Sequence, residues 1–160
     1  AFDHFDKDDF LDALLDVAAE RTAEVRHELS RAADEQFQIS ALEREQVVLS
    51  SWWRHPESSS ASGTPVSWLA APDLKVVELH CRCPPAVAVA RFLARQRHPG
   101  HLDALREPDH LAEQFACAAA HGPLFPSRAI VCNTEQHVPH AYVVALAADV
   151  LQCVRYQREA

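Results

Sequence analysis

No methionine occurs in the 160 residues, and lysine is reduced to Lys7 and Lys75. With so few lysines the formal net charge is -8. That excludes the broadly basic surface that displaces counterions from nucleic acid. Long apolar runs are lacking as well; none approaches the roughly 18 residues of a membrane span. The opening "AFDHFDKDDF" is acidic and does not read as a secretory signal. Five cysteines, an odd number without the spacing of a secreted scaffold, point to reduced thiols and a cytoplasmic compartment. The chain opens with Ala1 in place of a methionine, already inside what reads as an ordered element, so the expectation is that an upstream segment is missing.

What is present is enough chain for one domain with a real core. Residues 1–5 read as a short strand. A helix follows, capped by Asp6 or Asp8 and carried to about Glu28 by Phe10, Leu11, Leu14, Leu15, Ala18 and Ala19 at helical spacing. Asp9, Asp12, Asp16 and Glu20 fall toward its other face. Ser30 reads as the cap of a second helix through Phe37 and Leu42. Buried strands are expected at 46–51, 75–81 and 128–133. A serine-rich loop spans 54–65, and Pro65 opens a short helix carrying Trp68 and Leu69. Further helices are expected from about Pro85 to Gln96, from Pro108 to His121, and from Val138 or Pro139 to about Arg155. Strands separated by helices predict an α/β fold, a parallel sheet with helices on both faces.

The stretch "CRCPPAVAVARFLARQRHPGHLD" (81–103) poses the main chemical choice. Zinc would need Cys81, Cys83, His98 and His101 around one ion. The two cysteines share one strand face, but about eleven helical residues carry the histidines ~16 Å away. The spacing therefore argues against zinc, and no metal ligand is assigned. The alternative is an anion grip. Arg91 and Arg95, four apart, share a helix face, and Arg97 extends the charge into a loop with a Pro–Gly pivot. Guanidinium groups chelate phosphate oxygens and spread the charge of phosphoryl transfer. The competing reading is a solvated helix face whose arginines pair with the many acids.

The blocks "FDKDDFLDAL", "VVLSSWWRHP", "VVELHCRCPPAVAVARFLARQRHPGHLD" and "AIVCNTEQ", in that order over nearly the whole chain, resemble the small P-loop kinases among the AAA-like ATP-binding families. The closest likeness is to the chloramphenicol phosphotransferase and zeta-toxin-like group. The resemblance implies an ATP-dependent phosphotransferase using Mg²⁺ and a small-molecule acceptor, with no nucleic-acid or membrane partner. It implies that Asp6, with Asp8 as the fallback, takes the acceptor's proton. Arg91, Arg95 and Arg97 would contact the donor's phosphates from a lid spanning 86–121. Asn133 and Thr134 would border the adenine, and Trp52, Trp53 and Arg54 would line the acceptor side. For each there is a plainer reading: helix caps, paired surface arginines, turn residues and core aromatics.

One departure from the family is severe. A phosphate-binding loop G-x-x-x-x-G-K-[ST] needs a glycine directly before a lysine. Here Asp6 precedes Lys7 and Leu74 precedes Lys75. The expectation is that the loop and the central strand leading to it belong to the missing segment. The strands at 47–51 and 76–81 must then pair directly or leave a gap, and the chain by itself should bind nucleotide poorly and be inactive. Two alternatives stand beside the kinase: a non-catalytic kinase-like binding or interaction module, and a zinc-binding domain.

Overall fold

The computed structural model describes residues 2–159, with side chains up to residue 156. Ala1, the start of the expected first strand, lies outside the described residues. The chain is mixed α/β and divides into two compact units. The first comprises residues 1–54, 60–65 and 95–106; the second comprises 55–59, 66–94 and 107–160.

In the first unit, β1 (Asp3–Asp6) runs into α1 (Lys7–Val17), then α2 (Ala23–Leu42), then β2 (Val47–Ser50). The two strands are parallel, in register from Asp3 opposite Val47 to Asp6 opposite Ser50. Parallel neighbours need a long crossover, and the two helices supply it. Lys7, Leu11 and Leu15 recur every four residues on the buried side of α1. Ala33, Phe37 and Ala41 do the same on α2. Leu11, Leu15 and Ala33 form the centre, flanked by Phe10, Leu14 and Leu29. An aromatic chain continues it: Phe5 on Phe10, Phe10 on Phe37 and Phe37 on Trp53, with ring centroids 5.7–5.9 Å apart.

The break between the helices lies at residues 18–22, earlier than the Ser30 cap expected from the sequence. The reason is capping chemistry: Thr22 Oγ1 accepts from Val25 N at 3.3 Å, with Glu24 in the first turn. Ser30 lies inside α2, and its hydroxyl serves Lys7 at 2.6 Å. That ammonium also faces Asp34 at 3.6 Å, and Asp34 accepts from Thr64 Oγ1 at 2.7 Å. Burial pushes the Lys7 pKa down, with Asp34 opposing it.

The second unit holds β3 (Glu78–Arg82), α3 (Pro85–Ala94), α4 (Pro108–His121), β4 (Ala129–Asn133) and α5 (His140–Glu159). β3 and β4 are parallel, from Glu78 opposite Ala129 to Arg82 opposite Asn133. Among the described residues, Val66, Leu69, Leu111, Cys132 and Leu146 are its buried apolar residues, and Phe92 meets Phe115 edge-on at 6.1 Å. Both Glu78 carboxylate oxygens accept backbone N–H groups, from Leu124 at 3.1 Å and Phe125 at 2.8 Å.

All four expected strands exist, yet they form two separate two-stranded sheets, β1–β2 and β3–β4, in place of one. Direct pairing of 47–51 with 76–81 is not found among the described residues. Each strand pair is closed by its own helical crossover, so neither requires the other's edge. The strands are also less buried than their apolar composition suggests: Val48, Leu79 and Val131 are 50%, 44% and 47% exposed. A central strand is apolar on both sides because neighbours cover both faces; a two-stranded sheet cannot give that cover.

Candidate functional site

The segment 95–106 belongs to the first unit, whereas α3 and α4 on either side of it belong to the second. It winds through two short 3₁₀ turns, Pro99–His101 and Asp103–Leu105. Between them Leu102 adopts a left-handed conformation at φ 59°, which costs a β-carbon-bearing residue about 1–2 kcal/mol. Strain of this kind persists where the surroundings fix it.

Charge fixes it here. Asp8, Asp12 and Asp16, spaced by four, form one stripe of α1. Each meets a basic side chain of the segment. Arg97 Nη2 closes an ion pair with Asp8. His101 Nε2 lies 2.6 Å from Asp12 Oδ1, and His98 Nε2 lies 3.3 Å from Asp16 Oδ1. Asp103 Oδ2 gathers Arg95 at 3.2 Å and Arg97 at 3.4 Å. Gly100 sits against Leu15, too close for a side chain to intervene.

His101 is buried, and its Nδ1 finds no hydrogen-bond partner among the described residues. The short contact to Asp12 assigns the proton to Nε2–H. A second proton would leave a buried Nδ1–H without an acceptor, and burial lowers the His101 pKa, with Arg97 adding to the effect and Asp12 opposing it. Arg26, from α2, joins the same cluster. Burial and then the guanidinium groups of Arg106 and Arg97 push its pKa down, against Asp103 and Asp8. Its Nε is buried without a hydrogen-bond partner among the described residues. Four guanidinium groups, Arg26, Arg95, Arg97 and Arg106, thus surround two carboxylates, Asp8 and Asp103, in a chain of net charge -8.

The other residues singled out in the sequence fall as follows. Asp6 caps α1, accepting from Asp8 N at 2.9 Å. Trp53 packs on Phe37, and Arg54 holds the carbonyl of Gly63 at 3.0 Å. Trp52 is exposed. In the second unit, Arg91 donates to the carbonyl of Glu135 at 3.0 Å, and Asn133 Oδ1 accepts from Glu135 N at 2.9 Å. Thr134 bonds the carbonyl of Arg82 through both its N–H and its hydroxyl. The same loop borders a shallow pocket of about 310 Å³ lined by Asn133, Glu135, Gln136, His137, Val138, Pro139 and Tyr142. Arg91, from α3, and Asn133 therefore meet at Glu135, and Arg95 and Arg97 come together with Asp8.

Three of the four zinc candidates, His98, His101 and Cys81, are engaged elsewhere. Besides Asp16, His98 accepts from Gly100 N at 3.1 Å. His101 serves Asp12, and the Cys81 thiol lies beside Cys132, with burial raising its pKa. No helix among the described residues is long and apolar enough to cross a membrane.

Arg26, Asp12 and Asp103 were not marked by the sequence reading as site residues. Arg26 is an ordinary charged position in a long helix, and nothing local distinguishes it. The Asp8, Asp12, Asp16 spacing was the one available signal.

No family model, curated protein or solved structure matches the chain.

Proposed function

We propose that the chain binds the phosphates of ATP at the Arg26, Arg95, Arg97, Arg106 cluster and belongs to an ATP-dependent phosphotransferase acting on a small-molecule acceptor, with a P-loop NTPase-like architecture. The observation that carries this reading is the Arg97–Asp8 ion pair inside a surplus of guanidinium groups. A carboxylate is the protein's nearest mimic of a phosphate face, because both present oxygens that a guanidinium fork accepts in pairs. Asp8 holds the seat that a phosphate would take.

The reaction role follows from that exchange. While it is paired with Arg97, the Asp8 carboxylate is engaged and not free to meet an acceptor hydroxyl. When phosphate oxygens take Arg97, Asp8 is released near the incoming charge and can accept an acceptor hydroxyl's proton. Asp6 keeps one oxygen on its cap and positions the turn. Trp52, exposed and in the same unit as the arginine cluster, supplies the acceptor side. The donor set suits phosphates better than their magnesium ion. Asp8 and Asp103 are both ion-paired to arginine, so no residue is assigned to magnesium and no step runs through it.

With no glycine–lysine pair in these 160 residues, the grip rests on side chains, and the expected affinity for ATP is weak, about 10 µM to 1 mM. Calorimetry at low salt tests it. Arg97→Ala should weaken ATP at least about tenfold, the order expected for losing a charge-assisted contact. Arg21→Ala, an exposed arginine outside the cluster, should not. Undetectable ATP binding, or equal affinity in the two variants, would refute the proposal. The same missing pair favours a second reading, a kinase-like binding module without catalysis. ATP-dependent phosphorylation of a small-molecule acceptor, abolished in Asp8→Asn, decides between them.

A further inference from the structure

The second unit carries a different cluster, unrelated to the phosphate reading. His55 and Glu57 lie on a tight turn closed by Ser58 N donating to His55 O at 2.9 Å. His121 is the last residue of α4, which ends at Gly122 with φ 73°. The imidazoles of His55 and His121 lie nearly parallel, 4.7 Å apart. A donor atom from each of His55, Glu57 and His121 lies within 4.8 Å of the others. Cys117, four residues before His121 on the same helix face, lies outside that three-residue group, with its Sγ 3.7 Å from His121 Nε2, and would have to turn in to join the other donors.

We propose that His55, Glu57, His121 and Cys117 bind one zinc ion. Two histidines, a carboxylate and a thiolate form a donor set of the kind that Zn²⁺ takes in tetrahedral geometry. With Zn–N about 2.0 Å and Zn–S about 2.3 Å, a tetrahedral ion separates its nitrogen and sulfur donors by about 3.5 Å. The thiol and the imidazole nitrogen already stand at nearly that separation. His55 Nδ1 accepts a long bond of 3.2 Å from Glu57 N. That tautomer keeps the lone pair on Nδ1, and a metal would take it in place of a weak hydrogen bond. Glu57 is exposed and can swing in, and both rings are only half-buried. A metal lies in the plane of each imidazole that binds it, so zinc must turn the stacked rings edge-on. Metal binding breaks the stack. None of these residues belongs to the zinc set that the sequence suggested.

The test is titration of the chelator-treated, reduced chain with zinc, followed by calorimetry, and with cobalt, followed by absorption. One zinc per chain at micromolar or tighter affinity is expected, with a sulfur-to-cobalt charge-transfer band that Cys117→Ser removes. Even changes behind the ligands cost metal sites about 10–100-fold, so His55→Ala and His121→Ala should each weaken zinc at least that much. His110→Ala, exposed on the same helix, should have no effect. All four positions are exposed or half-buried, so the variants should fold, which circular dichroism confirms. No uptake at micromolar zinc, affinity unchanged in the two histidine variants, or a cobalt spectrum without the thiolate band would overturn the proposal. ATP binding is measured separately and can fail or succeed independently.

Discussion

A methyl group at Gly100 is the smallest change that should lift the arginine segment off α1. A β-carbon there would lie 2.8 Å from Leu15 Cδ2 and 3.0 Å from both Leu15 Cδ1 and His98 Nδ1. Leu15 is fully buried and has no free direction in which to move. The segment must give, or the core must. Overpacking of this size costs about 1–3 kcal/mol, and in a chain of this length each kcal/mol lowers Tm by about 2–4 °C. Thermal denaturation of Gly100→Ala should show that loss. Hydrogen exchange should show faster amide exchange across 95–106 than elsewhere in the first unit. The Leu15→Ala change costs about 2–5 kcal/mol alone. It should cost at least about 0.5 kcal/mol less than additivity when combined with Gly100→Ala, because the clash has lost its partner. An unchanged Tm with unchanged exchange, or strict additivity in the double variant, would mean that the segment is not seated on Leu15.

Two further outcomes follow from the buried polar groups. His101 has a lowered pKa in the folded chain, whereas the unfolded chain takes up its proton near about pH 6.5. Its contribution is therefore complete above that pH and lost as pH falls through the folded value. The Tm of the wild type should drop more between about pH 7 and about pH 5 than that of His101→Gln; equal drops would show that this imidazole is not the titrating group. Lys7→Ala leaves Asp34 with the Thr64 hydroxyl but without its cation. Chemical denaturation should show a loss of about 2–4 kcal/mol, somewhat below a fully buried broken pair, and a loss under about 1 kcal/mol would show that the ammonium reaches water instead.

Much of the architecture was legible because it is local. Period-four apolar residues on α1, β-branched runs at 47–50 and 129–133, and Pro108 opening α4 each reflect chemistry within one or two turns. The helix break at 18–22 was misplaced because Ser30 looks like a cap in sequence. Its hydroxyl instead serves Lys7, twenty-three residues away. The division into two sheets was not legible, since apolar strands read alike whether their edges are paired or bare. The site was half visible. Arg95, Arg97 and Asp8 were singled out one by one, but their pairing depends on a loop that crosses from α3 back to α1. Arg26 and the unpartnered nitrogen of His101 become meaningful only once that loop is seated.

The exchange of Asp8 for phosphate on Arg97 is tested most directly by titrating inorganic tripolyphosphate into the wild type, Asp8→Asn and Arg97→Ala, at low ionic strength. Removing the resident carboxylate should tighten the polyphosphate, while removing the guanidinium should weaken it at least about tenfold. Weaker binding in Asp8→Asn, or undiminished binding in Arg97→Ala, would contradict the account.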